Sequence, residues 1–277
     1  QMTEEEYRLL SLMLARHVDD LQGVASTWGE RFVDEYSSTQ GDVALLAEEY
    51  VRFSSGRDTL SYAAVRKRDK LRERIYELRS VGLNESMAYL QERLAELVKT
   101  ENQFGGKWLI AMYGLAYGFP EDEVNARFKP KPLTETQMDS VRKYGTYNGN
   151  TVDGIFQKVF ESDVDRIMSA IDHGINANLA QEKKPGVYDG IIQMVNKAAL
   201  TTSKQIMLNV AMVVNGISNN VSVEIAKRNI EIAGMVMWIT EMDERVCEDC
   251  DALEGMTFTP DEAPACPMHP NCRCHLI

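Results

Sequence analysis

The chain has 277 residues, a formal net charge of -12 and an ordinary hydrophobic fraction of 44%. This length predicts one or two domains with a substantial core, and the composition argues against wholesale disorder. The acidic balance argues against a protein that coats nucleic acid through bulk positive charge. We find no signal-peptide pattern at the start, and the longest apolar runs are shorter than the ~20 residues of a membrane span, so we expect a soluble protein made in the cytoplasm.

The first 128 residues are predicted to be helical. Apolar residues recur at intervals of three and four over residues 5–21, which is the spacing of one helical face. Similar patterns predict further helices at residues 24–36, 43–53, 61–79 and 84–98. The expected breaks between them fall at Gly23, Gly41, Gly56 and Gly82. Asn84 with Ser86 is the predicted cap of the helix at 84–98, and Pro120 is predicted to start another helix.

The predicted domain boundary lies at residues 129–150. Prolines at positions 130 and 132 cannot continue a helix, and residues 145–150 have the composition of a loop. The sequence therefore predicts an N-terminal helical region over residues 1–128, a linker over 129–150 and a second domain over 151–277.

The second domain is predicted to be helical except for its tail. Apolar stripes predict helices at residues 152–171, 188–199 and 202–214, whereas residues 221–237 fit a helix or a strand. The tail, residues 238–277, is rich in turns and prolines. Short strands are expected at residues 235–240 and 274–277. The predicted fold class is mainly α, ending in a small α+β tail.

All five cysteines of the chain lie after residue 246, together with two of its four histidines. An odd number of cysteines at one end does not fit the disulfide framework of a small secreted protein. Cys247 and Cys250 form a C-x2-C pair, and after eighteen further residues His269, Cys272 and Cys274 form H-x2-C-x-C. Two such groups separated by ~15–20 residues are typical of Zn²⁺, which takes four nitrogen or sulfur ligands.

The predicted ligand set contains one alternative. Cys247 and Cys250 supply the first pair, and His269 with Cys272 is the natural second pair. Cys274 competes with Cys272 because alternate residues of an extended segment face the same side. The sequence thus predicts that four of these five residues bind one Zn²⁺.

The predicted zinc is structural rather than catalytic. A catalytic zinc keeps one coordination position open and needs a nearby base, whereas four protein ligands close the shell. The H-x-E motif of zinc deaminases and the H-E-x-x-H motif of metalloproteases are both absent. Cys266 is expected to be a bystander thiol. We predict no catalytic residue and no enzymatic activity.

The tail also carries a longer pattern, which reads D-x-R-x-C-x-x-C, then L-x-G-x-x-F, then H-P-N-C-R-C. This pattern resembles the C-terminal signature of the phage head morphogenesis family, the minor head proteins typified by those of phages SPP1 and Mu. The matching positions are Asp243, Arg245, Cys247, Cys250, Leu253, Gly255, Phe258, His269, Pro270, Asn271, Cys272, Arg273 and Cys274.

The resemblance implies structural work in a virion. Such a protein is made in the host cytoplasm, binds the portal and other capsid proteins in the procapsid and virion, and can accompany the DNA on ejection. It implies no membrane contact in the assembled particle. The chain stops directly after the signature, so no toxin or enzymatic domain is expected to follow it. The helical N-terminal region is the expected docking module.

Two alternatives from other classes remain open at this point. One is a zinc-stabilised nucleic-acid-binding protein, and the other is a hydrolase or transferase that uses the zinc or a carboxylate. One basic segment, residues 66–79, is a candidate for local contact with packaged DNA. A solvated helix face with paired charges is the favoured interpretation of that segment. His17 is isolated in the sequence and is expected at the surface.

Overall fold

A computed structural model describes residues 4–54, 61–145, 149–180, 187–241 and 244–277. The described part is mainly helical, as predicted. Its helices are α1 (Glu4–Ser37), α2 (Gln40–Ser54), α3 (Tyr62–Tyr117), α4 (Glu121–Arg127), α5 (Glu135–Tyr144), α6 (Val152–Ala180), α7 (Val187–Arg228) and α8 (Glu248–Asp251). Its strands are β1 (Val236–Ile239), β2 (Thr257–Phe258) and β3 (His275–Leu276).

Three helices are longer than the sequence pattern predicted. α1 joins the helices predicted at 5–21 and 24–36, and α7 joins those predicted at 188–199 and 202–214. α3 joins those at 61–79 and 84–98 and continues to Tyr117. The predicted breaks at Gly23 and Gly82 are therefore wrong. The break predicted near Gly41 is present, since α1 ends at Ser37 and α2 begins at Gln40, and Gly56 lies outside the described residues. One glycine inside a helix costs only about 1 kcal/mol relative to alanine, which the packing of a long apolar face outweighs.

Gly82 shows why a glycine stands inside α3. A Cβ at this position would lie 2.8 Å from the backbone oxygen of Tyr36. The glycine thus allows α3 to approach α1 closely. The predicted cap at Asn84 and Ser86 is wrong as well, because both residues lie inside the helix. The Ser86 hydroxyl donates instead to the backbone oxygens of Phe32 and Gly82, at 3.1 and 2.8 Å.

The chain forms two compact units, each built from separated segments. Unit 1 comprises Gln1–Trp28, Gln91–Val152 and Leu208–Ile277, and unit 2 comprises Gly29–Leu90 and Asp153–Met207. Both units combine chain from before and after residues 129–150, and α5 lies inside that segment. The division into regions 1–128, 129–150 and 151–277 stays a prediction from the sequence.

Unit 2 encloses a buried ion pair. The Arg79 and Asp163 side chains are 1% and 0% exposed, with Nε of the arginine 3.0 Å from Oδ2 of the aspartate. The Tyr36 hydroxyl donates to the same Oδ2 at 2.8 Å, and the Thr202 hydroxyl donates to Oδ1 at 2.6 Å. Because both carboxylate oxygens have partners, the charge of Asp163 is compensated inside the helical core.

Unit 1 holds a second buried acid that the sequence pattern did not reveal. The Glu101 side chain is 3% exposed; its Oε2 lies 3.1 Å from Nε2 of His17 and accepts from the Ser218 hydroxyl at 2.5 Å. The His17 ring also stacks on Phe104 with a centroid distance of 3.7 Å. The expectation that His17 lies at the surface is therefore wrong, since its side chain is 16% exposed and packs against Phe104 and Glu101 of α3.

The tail of unit 1 contains the small sheet, with strand order β2-β1-β3 and both pairings antiparallel. The strands expected at 235–240 and 274–277 correspond to β1 and β3. Residues 221–237, whose pattern fitted a helix or a strand, contain both. They continue α7 as far as Arg228 and enter β1 at Val236. The predicted α+β character of the tail is thus confirmed.

Helix α7 is the most apolar long helix of the described chain. By length and composition, Gly190–Arg228 could span a membrane, and 56% of its most apolar window is buried inside the protein. A buried core helix has the same composition, so this finding is weak evidence for a membrane span.

Candidate metal centre

The first two cysteines of the motif are positioned by the short helix α8. Cys247 is the residue that caps this helix, and its sulfur accepts a hydrogen bond from the backbone N–H of Cys250 at 3.4 Å. This turn brings both sulfurs to one side of α8. His269 joins them, with Nε2 lying 3.0 Å from Cys247 Sγ and 3.2 Å from Cys250 Sγ.

The His269 ring is oriented by the chain beside it. Its Nδ1 lies 2.8 Å from the backbone oxygen of Pro270, to which it can donate a hydrogen bond. That bond fixes the ring and leaves Nε2 free to act as the ligand atom, an arrangement common at metal-binding histidines. It also raises the pKa of His269 above its ordinary value.

A second group of ligand atoms shares Cys250 with the first. The sulfurs of Cys250, Cys272 and Cys274 lie within 4.8 Å of one another, as do the ligand atoms of Cys247, Cys250 and His269. The sulfurs of Cys250 and Cys272 are 3.8 Å apart. All five predicted ligands are therefore brought together, and Cys250 is common to both groups.

The donor atoms fit a zinc ion. Zn–S bonds of ~2.3 Å in a tetrahedron place two sulfurs about 3.8 Å apart and place a sulfur about 3.5 Å from a bound nitrogen. The Cys250–Cys272 separation of 3.8 Å matches that geometry, and the two sulfur–nitrogen distances of 3.0 and 3.2 Å are slightly shorter. The cluster could hold a metal ion, and its sulfur-rich, carboxylate-free donor set favours zinc over magnesium or calcium. Which four of the five residues bind remains a prediction.

The surroundings of the cysteines divide them into two electrostatic classes. The backbone N–H of Cys250 and the nearby His269 lower the pKa of Cys247. The neighbouring side chains of Cys266 and Cys274 lower the pKa of Cys272. Burial raises the pKa of Cys250 to about 12. Cys247 and Cys272 are thus the sulfurs that most readily become the thiolates a metal requires.

Metal affinity is expected to fall as the pH is lowered, because protons compete for the same atoms. The raised pKa of His269 and the raised pKa of Cys250 both mean that a proton must leave before the metal binds. We expect zinc bound at pH 7.5 to be released on acidification, with more than one proton taken up per zinc. A pH titration followed with a zinc-sensitive dye measures the release of zinc, and the steepness of the release curve gives the number of protons taken up per zinc. Zinc that stays fully bound down to pH 4 would contradict this ligand set.

The cysteines are also the core of the tail. Cys250, Cys266, Cys272 and Cys274 pack in one buried cluster with Trp238 and other apolar residues of the sheet. Trp238 is 0% exposed, and its Nε1 has no hydrogen-bond partner among the described residues. Such a small core gives little stabilisation by itself, so a bound metal would contribute much of the stability of the tail.

Cys266 is buried at the edge of the cluster, outside both groups of ligand atoms. Its thiol donates to the backbone oxygen of Cys274 at 2.9 Å. Burial raises the pKa of Cys266 well above its ordinary value, so its sulfur stays protonated and can serve as this donor. The sequence interpretation of Cys266 as a bystander missed this contact.

Two asparagines of α7 also contact the cluster, and the motif search missed them. The Asn215 side chain donates to the backbone oxygen of Cys272 at 3.0 Å, and the Asn219 side chain accepts from the backbone N–H of Leu276 at 2.6 Å. Their signal in the sequence is a pair of asparagines four positions apart, directly after the apolar run at residues 210–214 of α7.

A comparison with known families identifies this part of the chain. Residues 164–277 match the family described as Phage Mu protein F like protein. This segment is similar to phage Mu protein F-like proteins. It begins within α6 and includes α7, the three-stranded sheet and the whole cysteine cluster, so the resemblance inferred from the tail signature is confirmed. Phage Mu protein F-like proteins are structural phage head proteins. No curated protein and no solved structure matches the chain.

Proposed function

We propose that this chain is a minor capsid protein of a tailed phage, acting in head morphogenesis without enzymatic activity. The observation that carries the proposal is the phage Mu protein F-like match over residues 164–277. The match covers the two features that the sequence singled out independently, the cysteine–histidine cluster and the turn-rich tail. Asp243, the first position of the signature, lies outside the described residues.

The zinc in this proposal has a structural role. Cys250, Cys272 and Cys274 are each less than 10% exposed, so three of the five candidate ligands lie in the core of the tail. A zinc held there would join α8 to the His269 turn and the segment before β3, which follow eighteen residues after Cys250. We propose that it folds the tail as a structural zinc folds other small turn-rich modules.

The proposed partners are the portal and neighbouring capsid proteins. The N-terminal part of α1 exposes three large apolar side chains, Leu9, Leu12 and Met13, at 54%, 58% and 46%. These lie beside the buried stripe of Leu10 and Leu14, so this stretch of α1 is apolar on more than one side. One apolar side of α1 packs inside the protein, and the exposed apolar side chains offer a surface to a partner. This supports the proposal that the N-terminal region binds the portal or a capsid protein.

Contact with packaged DNA would be local in this proposal. Three arginines of the basic segment at 66–79 form ion pairs with aspartates of α6. The pairs are Arg68–Asp172, Arg72–Asp165 and Arg79–Asp163. Much of the positive charge of this segment is therefore neutralised within unit 2, which supports its interpretation as a paired helix face.

The proposal predicts that the chain is incorporated into procapsids and virions and binds the portal. We expect a tagged chain to co-purify with its portal protein and to sediment with procapsids. The matched control is the same tag on an unrelated acidic protein of similar size, which should stay at the top of the gradient. A chain that neither binds portal nor sediments with particles would overturn the proposal.

A further inference from the structure

We infer that Asn215 and Asn219 of α7 are positioning residues of the proposed metal centre, which hold the segment that carries Cys272 and Cys274. The inference rests on the metal proposed above but concerns residues outside the cysteine motif. The two asparagines are four positions apart, so they lie on one face of α7, next to each other and facing the same stretch of chain.

The hydrogen bonds run from side chains of the helix to the backbone of the ligand segment. Asn215 Nδ2 donates to the backbone oxygens of Cys272 at 3.0 Å and of Cys274 at 3.5 Å. Asn219 Nδ2 donates to the same Cys274 oxygen at 3.3 Å, and its Oδ1 accepts from Leu276 N–H at 2.6 Å. Every backbone group in these contacts belongs to residues 272–276, which include both candidate cysteines.

The asparagines also support each other. Asn219 Nδ2 lies 2.8 Å from Asn215 Oδ1 and 2.9 Å from the Asn215 backbone oxygen. Asn219 is 2% exposed, so its carboxamide has exchanged water for these protein partners. Removing it would leave the Leu276 N–H without this acceptor in the protein interior, which carries a penalty beyond the loss of one bond.

This arrangement fixes the ligand segment without using its sulfurs. The Cys274 oxygen receives a third donor, the thiol of Cys266, at 2.9 Å. Because the backbone at 272–276 is held by Asn215, Asn219 and Cys266, both cysteine side chains remain available to a metal. Groups that orient the ligands of a metal in this way typically contribute 10–100-fold to its affinity.

The test measures metal affinity in the full chain. Zn²⁺ and Co²⁺ are titrated against a competing chelator for the wild type, Asn215→Ala and Asn219→Ala, and the Co²⁺ absorption bands report the geometry and the number of thiolates. Asn220→Ala is the matched control, because Asn220 donates to the backbone oxygen of Gly216 within its own helix, at 2.8 Å. Unfolding of the metal-free forms is measured in parallel to separate metal affinity from general stability.

We expect Asn219→Ala to weaken Zn²⁺ binding 10–100-fold and to alter the Co²⁺ bands, with Asn215→Ala weaker in effect and Asn220→Ala close to wild type. Should Asn219→Ala fail to fold, Asn219→Asp keeps an acceptor for Leu276 and removes the donor to Cys274, and it is expected to show the same loss. Wild-type affinity and spectra in both asparagine variants would overturn the inference. A wild type that binds neither Zn²⁺ nor Co²⁺ would instead overturn the metal centre itself.

Discussion

Replacing Cys250 with serine is expected to abolish metal binding and to unfold the tail. Cys250 is the one residue shared by the two groups of ligand atoms, so its loss leaves neither group with three donors. It is also 1% exposed in the core of the tail, where a serine hydroxyl would be buried. Structural zinc contributes apparent free energies of ~10–16 kcal/mol in zinc-finger peptides, which is more than the whole stability of most domains.

The expected readouts for Cys250→Ser are zinc content and tryptophan fluorescence. The wild type should contain about one zinc per chain, as a closed four-ligand site requires, and the variant should contain almost none. Trp238, buried in the same cluster, should report the unfolding of the tail as a red shift of its emission. The control is Asp249→Asn, which changes an exposed residue next to Cys250 in the same helix, α8, and is expected to keep the wild-type zinc content. Full zinc content in Cys250→Ser would contradict the proposed site.

Replacing Asp163 with alanine is expected to destabilise unit 2 by ~3–5 kcal/mol. The substitution leaves the Arg79 guanidinium, 1% exposed, without its carboxylate, and the Tyr36 hydroxyl loses the Asp163 oxygen to which it donates. Removing one member of a buried ion pair is costly because the remaining charge stays buried and uncompensated. Urea unfolding followed by circular dichroism measures the change.

The matched control for Asp163→Ala is Asp165→Ala, two residues along α6. Asp165 pairs with Arg72, but the two side chains are 62% and 47% exposed. Exposed pairs contribute ~0–1 kcal/mol, so this variant should unfold close to the wild type. Equal and small effects of the two substitutions would show that the Arg79–Asp163 pair is not part of the core of unit 2.

The metal cluster could be predicted from sequence because its information is local. Cys247 and Cys250 are separated by one turn of chain, and His269, Cys272 and Cys274 fall within six residues, so spacing alone indicated that the two groups lie close together. β1 and β3 were predicted for a similar reason, since each lies in a short apolar stretch bounded by turn residues. The family signature follows the same local positions.

The remaining features depend on contacts between distant parts of the chain. Asn215 lies 57 residues before the backbone oxygen that it binds, and His17 lies 84 residues before Glu101. Gly82 looks like a helix break in the sequence, and only the proximity of Tyr36 explains why a helix passes through it. Helical periodicity shows which face of a helix is buried but not which other helix buries it, so these pairings were not predicted.

The most direct test of the proposed capsid role is the composition of purified particles. Mass spectrometry of virions and procapsids from infected cells should detect this chain at a few copies per particle, together with the portal protein, after the particles have been washed at high salt. Deletion of its gene should reduce the yield of infectious particles. Expression of the wild-type chain should restore that yield, and expression of Cys250→Ser should not. Absence of the chain from both kinds of particle would contradict a structural role in the phage head.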